Sequence, residues 1–292
     1  MRVFLVALFF FAALSAPLNL WADDLTLYFY PSPGLSWKSP RSLALGVLKS
    51  KLLGSERQIG HVTVEVSCEG NKPFHFFTGA SQIDRDSPRL LFREGYGLGI
   101  LFHDFPGYGE DSAELLPELE KRYQSGNLSF IHFKINAPTC RRLETYLKEY
   151  KDRGYDKHYG LSNRPLFCEG AGCSAFGASF LEVAGLLDPI FTKHWSMKVR
   201  VPRELIGGPL THQYVPFTRI LWADRWAEEN EPHQSLFFWS PDQMHEWVRK
   251  TWAQASQVGA HYKPEMRGKA VGLEIDRRNT PTPSGPIWHH DP

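Results

Sequence analysis

The stretch Cys168-Glu-Gly-Ala-Gly-Cys-Ser-Ala-Phe-Gly-Ala-Ser-Phe-Leu-Glu-Val-Ala-Gly-Leu-Leu187 decides how the rest of the chain is read. Glycines break its first five residues into a loop. After them, small and apolar residues recur every three or four positions, at Phe176, Phe180, Val183 and Leu187, which is the spacing of a buried helix. Cys173 falls in the first turn, near the positive end of the helix dipole, where a thiolate is favoured over a thiol. A cysteine nucleophile needs that environment and a base beside it. The competing assignment is a small buried hydrophobe or half of a disulfide. Cys168 is the rival nucleophile, but it precedes the glycines and lies outside the reach of the dipole.

A candidate base stands far upstream. Gly60-His-Val-Thr-Val-Glu-Val-Ser67 alternates strictly, with Val62, Val64 and Val66 on one face and His61, Thr63, Glu65 and Ser67 on the other. Cys68-Glu-Gly-Asn71 supplies a turn into Lys72-Pro-Phe-His-Phe-Phe-Thr78, so the two runs predict an antiparallel hairpin. His61 and His75 then lie on neighbouring strands. An imidazole acting as base needs a partner on its other nitrogen to fix its tautomer, and a second histidine or a carboxylate can serve. The plainer alternative is that both histidines cap a half-exposed sheet face.

Around these two stretches the chain divides in order. Met1-Arg2, an apolar run from Val3 to Leu14 and the small residue Ala22 before Asp23-Asp24 predict a secretory signal peptide over residues 1–22; a retained anchor is the alternative. No later run is long or apolar enough for a membrane helix. Thr26–Tyr30 predicts a strand, Ser42–Leu53 a short helix and Gly95–His103 a glycine-bearing strand. Ser112–Gln124 predicts a helix and Leu128–Ile135 a strand. A further helix, capped by Asn136 or Thr139, runs to near Gly154, and Tyr155–Pro165 reads as loop. His194–Val201 predicts one more core strand and Met244–Ser256 a helix that starts at Ser240-Pro241.

Composition removes some functions. Lys and Arg number 33 against 32 Asp and Glu, so no charge argument supports nucleic acid or an anionic membrane for the chain as a whole. Among 12 histidines no His-x-x-x-His pair suits a helical zinc site, so no metal or other cofactor is expected. The terminal His289-His290-Asp291 is a weak ligand set. Cys68, Cys140, Cys168 and Cys173 follow the signal segment, and in an oxidising compartment some of them pair. If Cys173 is a working thiol, the other three form at most one disulfide.

The order of these elements resembles a known family. A histidine opens a β-hairpin, further sheet and a helix follow, then a tyrosine-bearing loop leads to Gly-Cys-Ser-Ala-Phe on a helix. This resembles the circularly permuted branch of the NlpC-type papain-like superfamily, which includes YiiX-like and lecithin retinol acyltransferase-like proteins. The matching span runs from about Gly60 to Leu187. Gly172 stands where relatives usually carry asparagine. The resemblance implies an α+β, papain-like core with an antiparallel sheet packed on helices. It implies Cys173 as nucleophile, His61 as general base and His75 as the orienting residue, with Tyr159, Gly172 and Ser174 binding substrate. The implied function is an exported hydrolase or acyltransferase, periplasmic or extracellular, acting on an amide or ester bond of a cell-envelope peptide or lipid. Cell wall is then a possible partner, and a secreted binding or envelope-structural protein that keeps the fold is the alternative. On this reading residues 23–201 form the catalytic domain. Residues 202–278 form a Trp-rich extension packed on it, and 279–292 a Pro-rich flexible tail.

Overall fold

The computed structural model describes residues 23–52, 59–70, 72–83, 86–255 and 262–289. The expected signal segment and the pair His290-Asp291 lie outside them. The chain forms ten strands among these residues: β1 Asp24–Tyr30, β2 His61–Cys68, β3 Phe74–Gln82, β4 Phe105–Glu110, β5 Ser129–Lys134, β6 His158–Tyr159, β7 Ser196–Pro202, β8 His233–Trp239, β9 Lys263–Arg267 and β10 Ala270–Asp276. The α-helices are α1 Pro40–Leu52, α2 Ser87–Phe92, α3 Ser112–Ser125, α4 Ala137–Asp152, α5 Cys173–Val183, α6 Pro189–Trp195, α7 Phe217–Leu221 and α8 Pro241–Ala255. The fold is α+β.

An eight-stranded sheet in the order β6-β4-β3-β2-β1-β5-β10-β9 is the framework. All its neighbours run antiparallel except β5 and β10, which are parallel, so the sheet is mixed. The alternation along β1 explains its central place. Leu25, Leu27 and Phe29 face one side and Tyr28 and Tyr30 the other, and all five are buried. The leucine side joins Val62, Val64 and Val66 of β2 in a core closed by α4, α5, α6 and α8. The tyrosine side packs with Phe77, Phe130, Leu115 and Leu119 under α3. Helix α5 sits close on β2 because Gly177 carries no side chain; a Cβ there would come within 2.5 Å of Val62 Cγ1. A disulfide joins Cys68 at the end of β2 to Cys140 in α4, fixing the layer that carries the helices against the sheet.

The β2–β3 hairpin forms with Thr63 opposite Gly79 and Cys68 opposite Phe74. Four expectations need correction. The segment 95–103 is not a strand: the backbone turns left-handed at Gly95 and Gly97 (φ 63° and 52°), and Leu98–Phe102 winds into a 3₁₀ turn. His194–Val201 does not join the main sheet. His194 and Trp195 end α6, and β7 pairs only with β8 in a separate two-stranded sheet. Residues 202–278 do more than pack on the core as an extension, because β10 fills a place in the main sheet beside β5 and α8 packs on β1, β5 and β10. The tail is held as far as residue 289. Trp288 is buried against Tyr146, Tyr150 and Tyr155, and Thr282 and Thr280 bond Asn136. Most of the C-terminal tryptophans are packing residues as well: Trp247 meets Trp195 and Phe191, and Trp226 donates from Nε1 to the Trp37 carbonyl.

A central histidine ties the first and ninth strands together across the sheet. His132 of β5 lies 2.9 Å from Asp24 of β1 through Nε2 and 2.9 Å from Glu265 of β9 through Nδ1. Burial alone would lower its pKa, but the two carboxylates outweigh burial and raise it to about 9. A histidine raised above its ordinary value stabilises the fold fully at low pH and loses that contribution as pH rises through about 9. In urea titrations His132→Gln should therefore cost stability at pH near 6, with the deficit shrinking by pH near 10. Removing the Cys68–Cys140 bridge, which closes a 72-residue separation, should lower unfolding free energy by about 2–4 kcal/mol. That loss is read in the same titration on the Cys68→Ala/Cys140→Ala double variant.

Candidate active site

His61 is the first residue of β2 and is buried. Its Nε2 lies 2.7 Å from Oε2 of Glu110, the last residue of β4, whose side chain is 1% exposed. Strand β3 runs between them. Glu110 reaches across it because the residue paired with Glu110 is Gly79. A Cβ at Gly79 would stand 2.2 Å from Glu110 Oε2 and 3.2 Å from His61 Nε2. The other carboxylate oxygen, Oε1, accepts from Ser81 Oγ at 2.8 Å. Both oxygens of a buried carboxylate are thus engaged, as burial of a charge requires. With Nε2 directed at Glu110, Nδ1 is the ring nitrogen left for a reacting group.

Cys173 opens α5, and its side chain is buried. The first N–H groups of a helix have no intrahelical acceptors and point a positive field at this residue. Gly60 and Val62 bring β2 to the same point: the Gly60 carbonyl lies 3.8 Å from Sγ, and the Val62 backbone bonds it. Burial pushes the Cys173 thiol up. The charge of the His61 ring, its hydrogen bond to the sulfur, the Tyr159 hydroxyl and the Val62 backbone act the other way and prevail, so the thiol sits below its ordinary value. Tyr159 in β6 places its hydroxyl 3.7 Å from Sγ. Burial, then the negative charge on Cys173, holds that phenol well above its ordinary value, so it stays an O–H donor.

These groups open onto a cleft of about 210 Å³ lined by Gly172, Cys173, Ser174 and Tyr159. Its remaining walls are largely apolar, with Trp37, Leu43 of α1, Leu98, Leu101, Phe217 of α7 and Phe238 of β8. Among the described residues the other cluster of metal-ligating types worth weighing is His132, Glu265 and Glu274. Its carboxylates are matched by Lys134, Lys263 and Arg267, which makes it an ion-pair network. His289 is 3.2 Å from Glu182.

The structure therefore brings His61, Cys173, Gly172 and Tyr159 together, and it leaves His75 out. Register places His75 opposite Ser67, six positions along β2 from His61, where its Nε2 bonds Glu65 at 2.9 Å. Glu110 stands in the place assigned to His75. Ser174 lines the cleft, but its hydroxyl donates to the Trp239 carbonyl at 2.7 Å and anchors α5 to β8. Cys168 is exposed with a left-handed backbone (φ 65°), and it is bridged to no other cysteine. The sequence pattern does not reveal Glu110, Ser81 and Gly79, because the apolar run of the second hairpin strand stops at Thr78, whereas β3 continues to Gln82. The signal that could have found them is Phe105-Pro-Gly-Tyr-Gly-Glu110 just before the Asp111 helix cap, a short strand ending in a carboxylate.

Gly79→Ala should displace the Glu110 carboxylate and Glu110→Gln should remove its charge. Either change should slow iodoacetamide alkylation of Cys173 at neutral pH and move its pH profile upward. Peptide mapping by mass spectrometry reads this, with the exposed Cys168 as the internal reference. No protein-family model matches this chain, and no curated protein or solved structure matches it either, so the chemistry of the site rests on its own geometry.

Proposed function

We propose that the chain is a cysteine hydrolase or acyltransferase built on a circularly permuted papain-like core, working outside the cytoplasm on an amide or ester bond. One observation carries the reading: a buried thiol at a helix N-terminus, held below its ordinary value by a histidine that a buried carboxylate orients. A structural cysteine needs none of these three. A bridge between Cys168 and Cys173 would favour a binding protein, and both thiols are free.

The steps follow from the positions. The Cys173 thiolate attacks the substrate carbonyl carbon, and the carbonyl π electrons move to oxygen. On this reading the Cys173 backbone N–H and the Tyr159 hydroxyl, which donates toward the sulfur at 3.7 Å, are the donors to that oxyanion. As the intermediate collapses, His61 gives its proton to the leaving amine or alkoxide, and a thioester forms. Water or another acceptor then attacks the thioester while His61 takes its proton, and the thiolate departs. Glu110 keeps the ring oriented and stabilises its cationic form throughout. Gly79 and Ser81 are positioning residues that act through Glu110.

The apolar walls of the cleft favour a substrate with an apolar group next to the scissile carbonyl, either an acyl chain or a large apolar side chain. Incubation with p-nitrophenyl esters of increasing acyl length should give a Cys173 thioester detectable by intact mass. Its formation should be faster for longer chains, absent in Cys173→Ala and slowed about 10²- to 10⁴-fold in His61→Ala. Absence of any thioester across esters and peptide amides would count against turnover at this site.

A further inference from the structure

The helices that wall the cleft also turn apolar side chains outward. Leu45 of α1 is 48% exposed, Phe92 of α2 51% and Trp222, the residue after α7, 85%. Ile59, which lines the cleft, is 53% exposed and so sits at its mouth. These residues are connected through the cleft walls. Phe92 packs edge-on against Phe217, which lines the cleft, and the Arg41 N–H at the start of α1 donates to the Ala223 carbonyl beside Trp222. Single exposed apolar residues are ordinary, but several on the walls of one apolar cleft mark a contact surface.

Charge says what the surface meets. Between residues 25 and 55 the chain carries Lys38, Arg41, Lys49 and Lys51 and no Asp or Glu, although its overall formal charge is only +1. Arg41, Leu45 and Lys49 are four residues apart and all exposed, so the outer face of α1 alternates cation, apolar, cation. Arg93 is exposed beside Phe92. Around Phe92 and Trp222 acids offset the cations, with Arg89 paired to Asp86 and Glu94 and Asp224 exposed two residues past Trp222, so the cationic excess lies on α1. An apolar tip between cations on an acid-free helix is the chemistry of a protein that lies on an anionic lipid surface, with the tip in the headgroup region and the cations on lipid phosphates. A protein partner of ordinary polar surface would not call for the acid-free helix.

We infer that α1, α2 and the end of α7 form a membrane-docking face that sets the mouth of the cleft on an anionic bilayer. The inference concerns where the protein works and stands apart from turnover, since docking needs no reaction at Cys173. No helix among the described residues is long and apolar enough to cross a membrane, so the contact would be peripheral.

Co-sedimentation with vesicles of phosphatidylcholine, alone or mixed with phosphatidylglycerol, tests this on the full chain. The face predicts binding to the mixed vesicles at least about tenfold stronger than to the neutral ones, weakening as salt is raised. Phe92→Glu and Trp222→Glu, both at exposed positions, should each reduce binding several-fold. Cys173 alkylation should be unchanged in both variants, which shows the fold and the site intact. No binding to mixed vesicles, or variants that bind as well as the parent, overturns the inference. So does loss of self-association without loss of vesicle binding, which would assign the face to a second copy of the chain.

Discussion

The buried pair of His61 and Glu110 constrains more of this structure than any other contact. A carboxylate at 1% exposure must be matched by a cation or by donors on both oxygens, and His61 and Ser81 supply them. That geometry fixes the order of three strands. Glu110 can reach His61 only if β4 lies beside β3, if β3 lies beside β2, and if the residue crossed on β3 has no side chain. Gly79 meets the last condition. The close seat of α5 on β2 at Gly177 then brings the helix N-terminus, and Cys173 with it, to the end of β2 where His61 begins. Fold and site are therefore one set of steric and electrostatic conditions.

The cysteines divide along the same line. Cys68 and Cys140 are bridged far from the cleft and brace α4 on β2, whereas Cys173 remains a thiol beside an imidazole. The left-handed turn at Cys168 and the glycines after it separate the second free thiol from the first. The structure has one disulfide and two free thiols, Cys168 and Cys173, which is within the limit of one bridge that a reactive Cys173 would allow. Polar networks elsewhere serve the framework. His132 links the N-terminal strand to β9, and His75 with Glu65 and Tyr28 ties the open face of the hairpin.

Much of this was legible in the sequence, and the gaps have physical reasons. Alternation points to β1 and β2 and helical spacing to α3, α4 and α5, while the Ser240-Pro241 start points to α8; α3 and α4 pack one face on a core, whereas β1, β2 and α5 are buried on both sides. The helix dipole made Cys173 stand out. What local pattern could not reveal was register and strand order. His75 looks like a partner for His61 because both lie on one hairpin, yet a partner must be opposite as well as adjacent: His75 faces Ser67, whereas the β3 residue nearest the level of His61 is Gly79, which faces Thr63. Glu110 belongs to a strand with glycines and proline and little alternation of its own. The parallel place of β10 beside β5 depends on a contact between residues far apart in the chain. The tail lacked periodicity, but Trp288 finds an aromatic pocket of Tyr146, Tyr150 and Tyr155 that holds it.

The central claim is that the His61 ring holds the Cys173 thiol below its ordinary value and so favours the thiolate. Its most direct test is the ultraviolet absorbance of the thiolate, titrated against pH in a Cys168→Ala background so that Cys173 is the one free thiol. The account predicts that thiolate absorbance persists below the ordinary thiol range, disappears with Cys173→Ala and moves to higher pH in His61→Ala. A single titration at or above the ordinary thiol value, unchanged by removing His61, would contradict it.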